Sequence, residues 1–448
     1  MLGHNVNAES ARKGIELATH IAVISSVQTT LRASELVLKP KIGRRKVKQM
    51  AYIRRRRRTM DELYYEYGPL FVRAYRMSWG TFKKLFKLIE DGILAHLRSE
   101  CGVADPEPVP HYRNGPVPPN VRLAISLRWF AGGSYLDIMI SHGVSKSVVY
   151  NSIWAVVQAV NHCEELAFKF PTTEAECKEV ASEFVYRSKA GFSNCVGCID
   201  GLLIWLEKPR KEECEVRGVD SGKFYCGRKG KYGLNLQAVC DARRRFIDVS
   251  IRHPASASDY LAFVTSALSE RLTAEATRLP EGYCLYGDAA YVNEAYMAVP
   301  IGKVSSGAKD DYNYFHSQVR INIECAFGVL TNRWRLLKAP LHNKISINRV
   351  SALVSCLCRL HNFCIDNGES KAPSRYERDP LTLMDFSDIV EGEEERPIGL
   401  LGAGEHFDDV EGGRRGASVV GKRRAQGILP RERMLEHVIE IDLHRPRP

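Results

Sequence analysis

Twelve residues at 195–206, Cys-Val-Gly-Cys-Ile-Asp-Gly-Leu-Leu-Ile-Trp-Leu, are dense in strand formers and hold one acid, Asp200, in an otherwise apolar run. The segments C-terminal to this run constrain the fold further. Residues 232–240 and 246–251 flank a polar 241–245 and read as a hairpin. Residues 254–259 form a loop into a helix at 260–272, and 283–287 form a short apolar strand ending in Asp288. A long helix at 315–337 carries Glu324, and another spans 347–365. A three-strand meander, a helix, a fourth strand and a distant helix make an α/β fold with a mixed sheet. If the fourth strand pairs beside the first, Asp200 and Asp288 become neighbours, and the late helix can lay Glu324 against them. Converging carboxylates repel unless cations sit between them. Hard oxygen ligands suit Mg²⁺ or Mn²⁺. Two such ions about 3.5–4 Å apart can activate a water and stabilise the leaving oxygen of a phosphodiester. On spacing alone, a lone strand-borne aspartate is more often a capped or surface group.

The charge is strongly uneven. Residues 1–60 hold 14 Lys and Arg against 3 Glu, while the other 388 residues hold 50 of each sign. The excess sits in Arg44-Arg45-Lys46-Val47-Lys48 and in Arg54 to Arg58. Dense cationic runs stay solvated unless they meet a polyanion, and nucleic-acid phosphate is the common one; they also serve as nuclear import signals. Residues 1–60 are therefore expected to be a basic, flexible arm, with DNA as partner and the nucleus as location. No stretch approaches the roughly 18–20 apolar residues that span a bilayer. The apolar run at 15–27 is broken by Glu16, Thr19 and His20 and lacks a small-residue cleavage site, so neither a membrane span nor a secretory signal is expected.

Residues 61–165 read as helical. Met77-Ser78-Trp79-Gly80-Thr81-Phe82 leads into Leu85, Phe86, Leu88 and Ile89, and six prolines at 103–119 mark a linker. Three helices follow: 121–130, then 134–141 with Ser134 and Asp137 set as a capping pair, then one opened by Ser145 and running through Val160. Two short helices joined by His142-Gly143-Val144 fit a helix-turn-helix that would present Lys146, Ser147, Tyr150 and Asn151 to base edges. A plain helical hairpin fits equally well. Residues 368–448 turn polar, a flexible charged tail with one short helix at 432–443.

Five words occur in order along residues 70–367: Cys198-Ile199-Asp200-Gly201-Leu202-Leu203-Ile204, Ala257-Ser258-Asp259, Gly287-Asp288-Ala289-Ala290-Tyr291, Ile323-Glu324-Cys325-Ala326-Phe327-Gly328-Val329-Leu330 leading to Arg333-Trp334-Arg335, and His361-Asn362-Phe363-Cys364-Ile365-Asp366. This text resembles the Harbinger-type DDE transposases and the nucleases domesticated from them. The resemblance implies a ribonuclease-H-like nuclease domain at 190–367, preceded by the all-α, helix-turn-helix-like region. It implies Asp200, Asp288 and Glu324 as catalytic metal ligands, with Asp259 as a further acid near the metal. Asp259 is equally explained as a first-turn aspartate favoured by the helix dipole, and the Pro254-Ala-Ser-Ala-Ser258 loop before it departs from the family's glycine and histidine. Arg320, four residues before Glu324, together with Arg333 and Arg335, would hold phosphates. The implied activity is metal-dependent DNA cleavage, with a catalytically idle DNA- or protein-binding derivative as the alternative. The implied partners are a Myb/SANT-like accessory protein and a second copy of the chain.

Thirteen cysteines, an odd number in a long chain, argue against a disulfide scaffold. Cys195 and Cys198 form a single CxxC whose sulfurs an ideal strand would send to opposite faces. On a helix, Cys356 and Cys358 lie about 200° apart, so both groups read as buried small hydrophobes rather than zinc ligands.

Overall fold

In the computed structural model, which describes residues 59–101, 116–369 and 429–446, the run at 195–206 becomes the central strand of a six-stranded mixed sheet. The basic runs, most of the proline-rich linker and most of the acidic and basic tail lie outside the described residues.

The helical half opens with α1 (Met60–Tyr67), whose first turn is closed by a reciprocal capping box between Thr59 and Glu62. Then come α2 (Phe71–Tyr75), α3 (Trp79–Cys101), α4 (Pro119–Phe130), α5 (Tyr135–His142) and α6 (Lys146–His162). The Ser134 hydroxyl accepts from Leu136 N, but Asp137 does not close a capping box; it pairs with Arg128 at 3.0 Å. Ser145 caps α6 as its position suggests. A further helix, α7 (Glu174–Val185), is set by the Thr173–Glu176 capping box. It escaped the periodicity reading because its exposed face is strongly charged.

The sheet is built from β1 (Cys195–Leu206), β2 (Tyr225–Cys226), β3 (Lys231–Cys240), β4 (Phe246–Pro254), β5 (Cys284–Tyr286) and β6 (Met297–Ala298). β1 pairs antiparallel with β3 and parallel with β5, β6 runs parallel outside β5, and β2 and β4 share the far side of β3. Between β1 and β2 lies the short helix α8 (Lys211–Arg217). The segment expected as one helix at 260–272 is two, α9 (Asp259–Val264) and α10 (Ala267–Thr273), because Ser266 caps a new start. The late helix, α11 (Ala308–Arg333), begins earlier than expected and ends at Trp334; α12 (Ile347–Asp366) follows.

Each face of the sheet has its own core. Cys195, Cys198, Ala238 and Cys240 join the large core shared with α3, α4, α6, α11 and α12, while Val196, Ile199, Val239 and Phe263 form a second cluster under α9 and α10. The helical half and the sheet therefore share one continuous core. Arg333 stitches them together: its guanidinium donates to Arg76 O at 2.8 Å and to Glu369 O. The Glu369 carboxylate in turn accepts from Ser78 N at 2.8 Å and Thr81 Oγ1 at 2.6 Å at the start of α3.

The tail's helix, α13 (Pro430–Glu440), is a packed part of the fold rather than a flexible appendage. Met434 and Val438 are buried against α11 and β6, the Tyr286 hydroxyl reaches Met434 Sδ, and Arg445 pairs with Asp310 at 3.1 Å. The apolar pair at i and i+4 supplied the face; a distant partner surface decided its docking. A shift in β1 register between Cys195 and Gly197 places Cys195 and Cys198 in one core rather than on opposite faces. Both stay free thiols, as do Cys356, Cys358 and Cys364, and burial pushes the Cys364 thiol up to about 12. Among the described residues no helix is long and apolar enough to cross a membrane.

Candidate active site

Strand register puts the first two acids together. Cys198 of β1 pairs with Tyr286 of the parallel β5, so Asp200, midway along β1, and Asp288, just past the carboxyl end of β5, each follow the paired residues by two positions. α11 lies over the same face of β1, held there in part by Cys198 Sγ donating to Val319 O at 3.3 Å. One turn further, Arg320 and Glu324 share a helix face at i and i+4, and the Arg320 guanidinium reaches both Glu324 and Asp200, the latter at 3.5 Å. A fixed cation thus spans two of the three acids.

Asp200 is partly buried, its side chain 19% exposed. Burial pushes its carboxyl up to about 6; Asp288 and Asp259 push in the same direction, while Gly201 N, donating to Oδ1 at 2.7 Å, and Arg320 oppose them. The Asp288 carboxylate accepts from Ala290 N at 2.9 Å, which shapes the loop after β5. Glu324 is the most open of the set, 49% exposed.

Asp259 arrives from the other face. Its neighbours in the sheet are Asn235 and Gln237 of β3, whose amides both donate to Asp259 Oδ1 at 2.9 Å. Gln237 stands opposite Gly201 in the β1–β3 register, and a Cβ on Gly201 would fall 2.1 Å from Asp259 Oδ1. The missing side chain of Gly201 is what lets the carboxylate approach the strand. Gln237 also accepts from the Tyr291 hydroxyl at 2.7 Å, tying the Asp288 loop to the same network. The Tyr291 phenol is driven up by burial and then by Asp259, Asp200 and Asp288, so all three aspartates act on one buried hydroxyl.

Sequence reasoning gave Asn235, Gln237 and Tyr291 no role, although Tyr291 closes the word around Asp288. The signal was present: Asn235 and Gln237 are polar residues two apart in an otherwise apolar strand, hence on one face. It did name Arg320, for phosphate, where the structure sets the guanidinium between carboxylates.

The remaining predicted positions divide. Lys146, Ser147, Tyr150 and Asn151 are exposed on the first turns of α6, with Lys146 Nζ 5.0 Å from the Tyr135 ring centroid and 6.0 Å from that of Tyr150. None of the four hydrogen-bonds to the acids among the described residues. Arg335 is exposed. Arg333 is not a phosphate contact: it is wholly buried, because it continues the inward stripe of Val319, Ile323, Ala326 and Leu330 along α11.

Among the described residues no three carboxylates, imidazoles or thiols close into a metal-binding cluster. The donor set is nonetheless all oxygen, the chemistry that hard divalent cations take.

Residues 199–362 match the family model of the DDE superfamily endonucleases. The matched segment is similar to the Harbinger-type, DDE-transposase-like family. A curated relative, "Protein ALP1-like" from Arabidopsis thaliana, is 26% identical over 301 residues, covering 64% of this chain and 71% of its own. No solved structure matches the chain. The matched segment begins just before Asp200 and takes in Asp259, Asp288 and Glu324. The superfamily generally uses divalent metals.

Proposed function

We propose that this chain is a metal-dependent DNA endonuclease of the DDE type, with a ribonuclease-H-like nuclease half and a nuclear site of action. The observation that carries the reading is that Asp200 and Asp288 follow paired residues of neighbouring parallel strands, with Glu324 of α11 joined to Asp200 through Arg320. Asp200, Asp288 and Glu324 would hold the cations, and Asp259 would add a fourth carboxylate from the opposite face. When bound, Mg²⁺ or Mn²⁺ lowers the pKa of an attacking water and stabilises the leaving 3′-oxygen of a phosphodiester. The protein's own work is positioning. Gln237 and Asn235 fix the Asp259 carboxylate, Tyr291 fixes the Asp288 loop through Gln237, and Arg320 sets the separation of Asp200 from Glu324. Exposed Lys146, Ser147, Tyr150 and Asn151 on α6 would meet DNA, as would Arg335 and the basic arm. A Myb/SANT-like accessory protein and a second copy of the chain are the partners this reading brings with it.

One observation favours a second reading, a derivative that binds DNA or protein without cutting. The Arg320 guanidinium already contacts both Asp200 and Glu324, as in a structural ion-pair network. Cleavage of a labelled duplex by wild type, Asp288→Asn and Glu324→Gln, in Mg²⁺, Mn²⁺ and EDTA, separates the two. The nuclease reading expects metal-dependent nicking lost in both variants with duplex binding retained. Cleavage that survives either substitution sinks the assignment of the acids, and salt-sensitive binding without cleavage by wild type supports the second reading.

A further inference from the structure

Between β2 and β3 the chain makes a tight turn, Gly227-Arg228-Lys229-Gly230, in which Gly230 adopts a left-handed φ of 62° and donates to Gly227 O at 3.3 Å. Residues 227–231 are all exposed, as is Lys223 just before β2. From Ser221 to Tyr232 there are four cations, Lys223, Arg228, Lys229 and Lys231, and no acid. Lys231 places its ammonium 3.8 Å from the centroid of the Trp205 ring. Lys223, Arg228 and Lys229 have no carboxylate partner among the described residues. Like charges crowded into one short turn repel, and among the described residues no carboxylate offsets that repulsion at Lys223, Arg228 or Lys229.

The turn nevertheless stands on a rigid base. Phe224 is buried, Tyr225 and Tyr232 pair with ring centroids 5.1 Å apart, and Tyr225 and Cys226 ladder with Tyr232 and Lys231. The base is also joined to the site. Ser256 N donates to Lys223 O at 3.0 Å and Ala255 N to Gly233 O at 3.0 Å, so the loop that delivers Asp259 is sewn to both ends of the hairpin. Four residues along β3 from Lys231, about 13 Å at strand spacing, Asn235 donates to Asp259.

We propose that this hairpin grips the phosphate backbone of duplex DNA beside the carboxylates, with Arg228 and Lys229 as its principal contacts. The proposal rests on the DNA-cleaving reading above and adds to it where the strand runs: over the β2–β3 turn on the Asp259 side of the sheet. Phosphate contacts of this kind position a duplex without reading its sequence, which suits a turn whose side chains are long, cationic and solvated.

The test uses the full chain and a labelled duplex, with affinity measured across a salt series for wild type, Arg228→Ser/Lys229→Ser, and the charge-keeping pair Arg228→Lys/Lys229→Arg. Losing two phosphate contacts should reduce the slope of log affinity against log salt by about 1.8, roughly a 30-fold loss near 0.15 M salt. The charge-keeping pair should keep the wild-type slope, and all three proteins should melt together because the turn is exposed. An unchanged slope in the serine pair overturns the proposal; if that pair also self-associates, the cations guard a sheet edge instead. The nuclease reading fails separately. Loss of slope with no cutting by any protein keeps the hairpin contact and removes the nuclease, whereas wild-type cutting with an unchanged slope does the reverse. A wild type that does not bind duplex at all overturns both.

Discussion

Gly201 and Asp259 lie against one another across the surface of the central strand, so closely that a methyl group on Gly201 would fall 2.1 Å from a carboxylate oxygen. The contact sits one residue from Asp200, opposite Gln237 in the neighbouring strand. It brings a fourth acid to the strand that carries the first, from the opposite face. Gly201→Ala must displace Asp259 or bend β1, and both Asn235 and Gln237 would lose their shared acceptor. Overpacking of this kind costs about 1–3 kcal/mol. The expected outcome is a lower denaturation midpoint and a loss of any metal-dependent cleavage larger than Gly201→Ala's stability loss explains. A variant with wild-type midpoint and cleavage would show that Asp259 has no role at that spot.

Arg333 separates structure from binding. Its guanidinium holds Arg76 O and Glu369 in the core, and Glu369 also secures the start of α3. Arg333→Met should cost about 3–5 kcal/mol, the usual result of breaking a buried charged pair, seen as a lower urea midpoint. The salt slope of duplex binding should not move, since the residue is wholly buried. A reduced slope with unchanged stability would put Arg333 back among the phosphate contacts.

Met434 tests the docking of α13. It is buried against Tyr286, and its helix carries the Glu432 and Arg433 contacts to Asn293 and Glu281. Met434→Ala should destabilise by about 2–5 kcal/mol. Protease cleavage within 430–446 should become rapid under native conditions in which the wild type is expected to resist. Equal protease resistance in both proteins would show that the helix does not depend on this contact.

Two histidines predict the acid response. His316 and His361 are fully buried, and burial lowers them to about 3 and about 4. His316 stacks on Tyr286 at 4.7 Å and its Nε2 meets only Ala298 O, so a protonated ring would place a charge in the apolar core. A lowered folded pKa gives stability that is complete above the unfolded value near 6.5 and is lost as pH falls toward the folded one. Each histidine should therefore cost on the order of 3 kcal/mol by about pH 4. Thermal melting between pH 7 and pH 4 checks this: His361→Gln should flatten the decline relative to wild type, and a parallel decline would assign acid sensitivity elsewhere.

Much of this protein is legible along the chain. The alternation and strand formers of 195–206, 231–240 and 246–254 reflect side chains that face opposite sides every residue. Ser134 and Ser145 mark helix starts because a hydroxyl satisfies backbone donors only a few residues away. Asp200, Asp288 and Glu324 stand out because each belongs to a recognisable local word in the chain. These are short-range properties, and the amino-acid sequence by itself determines them. The tertiary structure decided the rest. Arg333 looks like a surface cation until the stripe it continues is seen to face inward, and Cys195 joins Cys198 only because β1 shifts register against β5. Gln237 becomes the link between Asp259 and Tyr291 through contacts 22 and 54 residues apart. Arg320 meets Asp200 across 120 residues. Which groups share a buried site depends on strand register and helix placement, set by the packing of the whole core and not by any one segment.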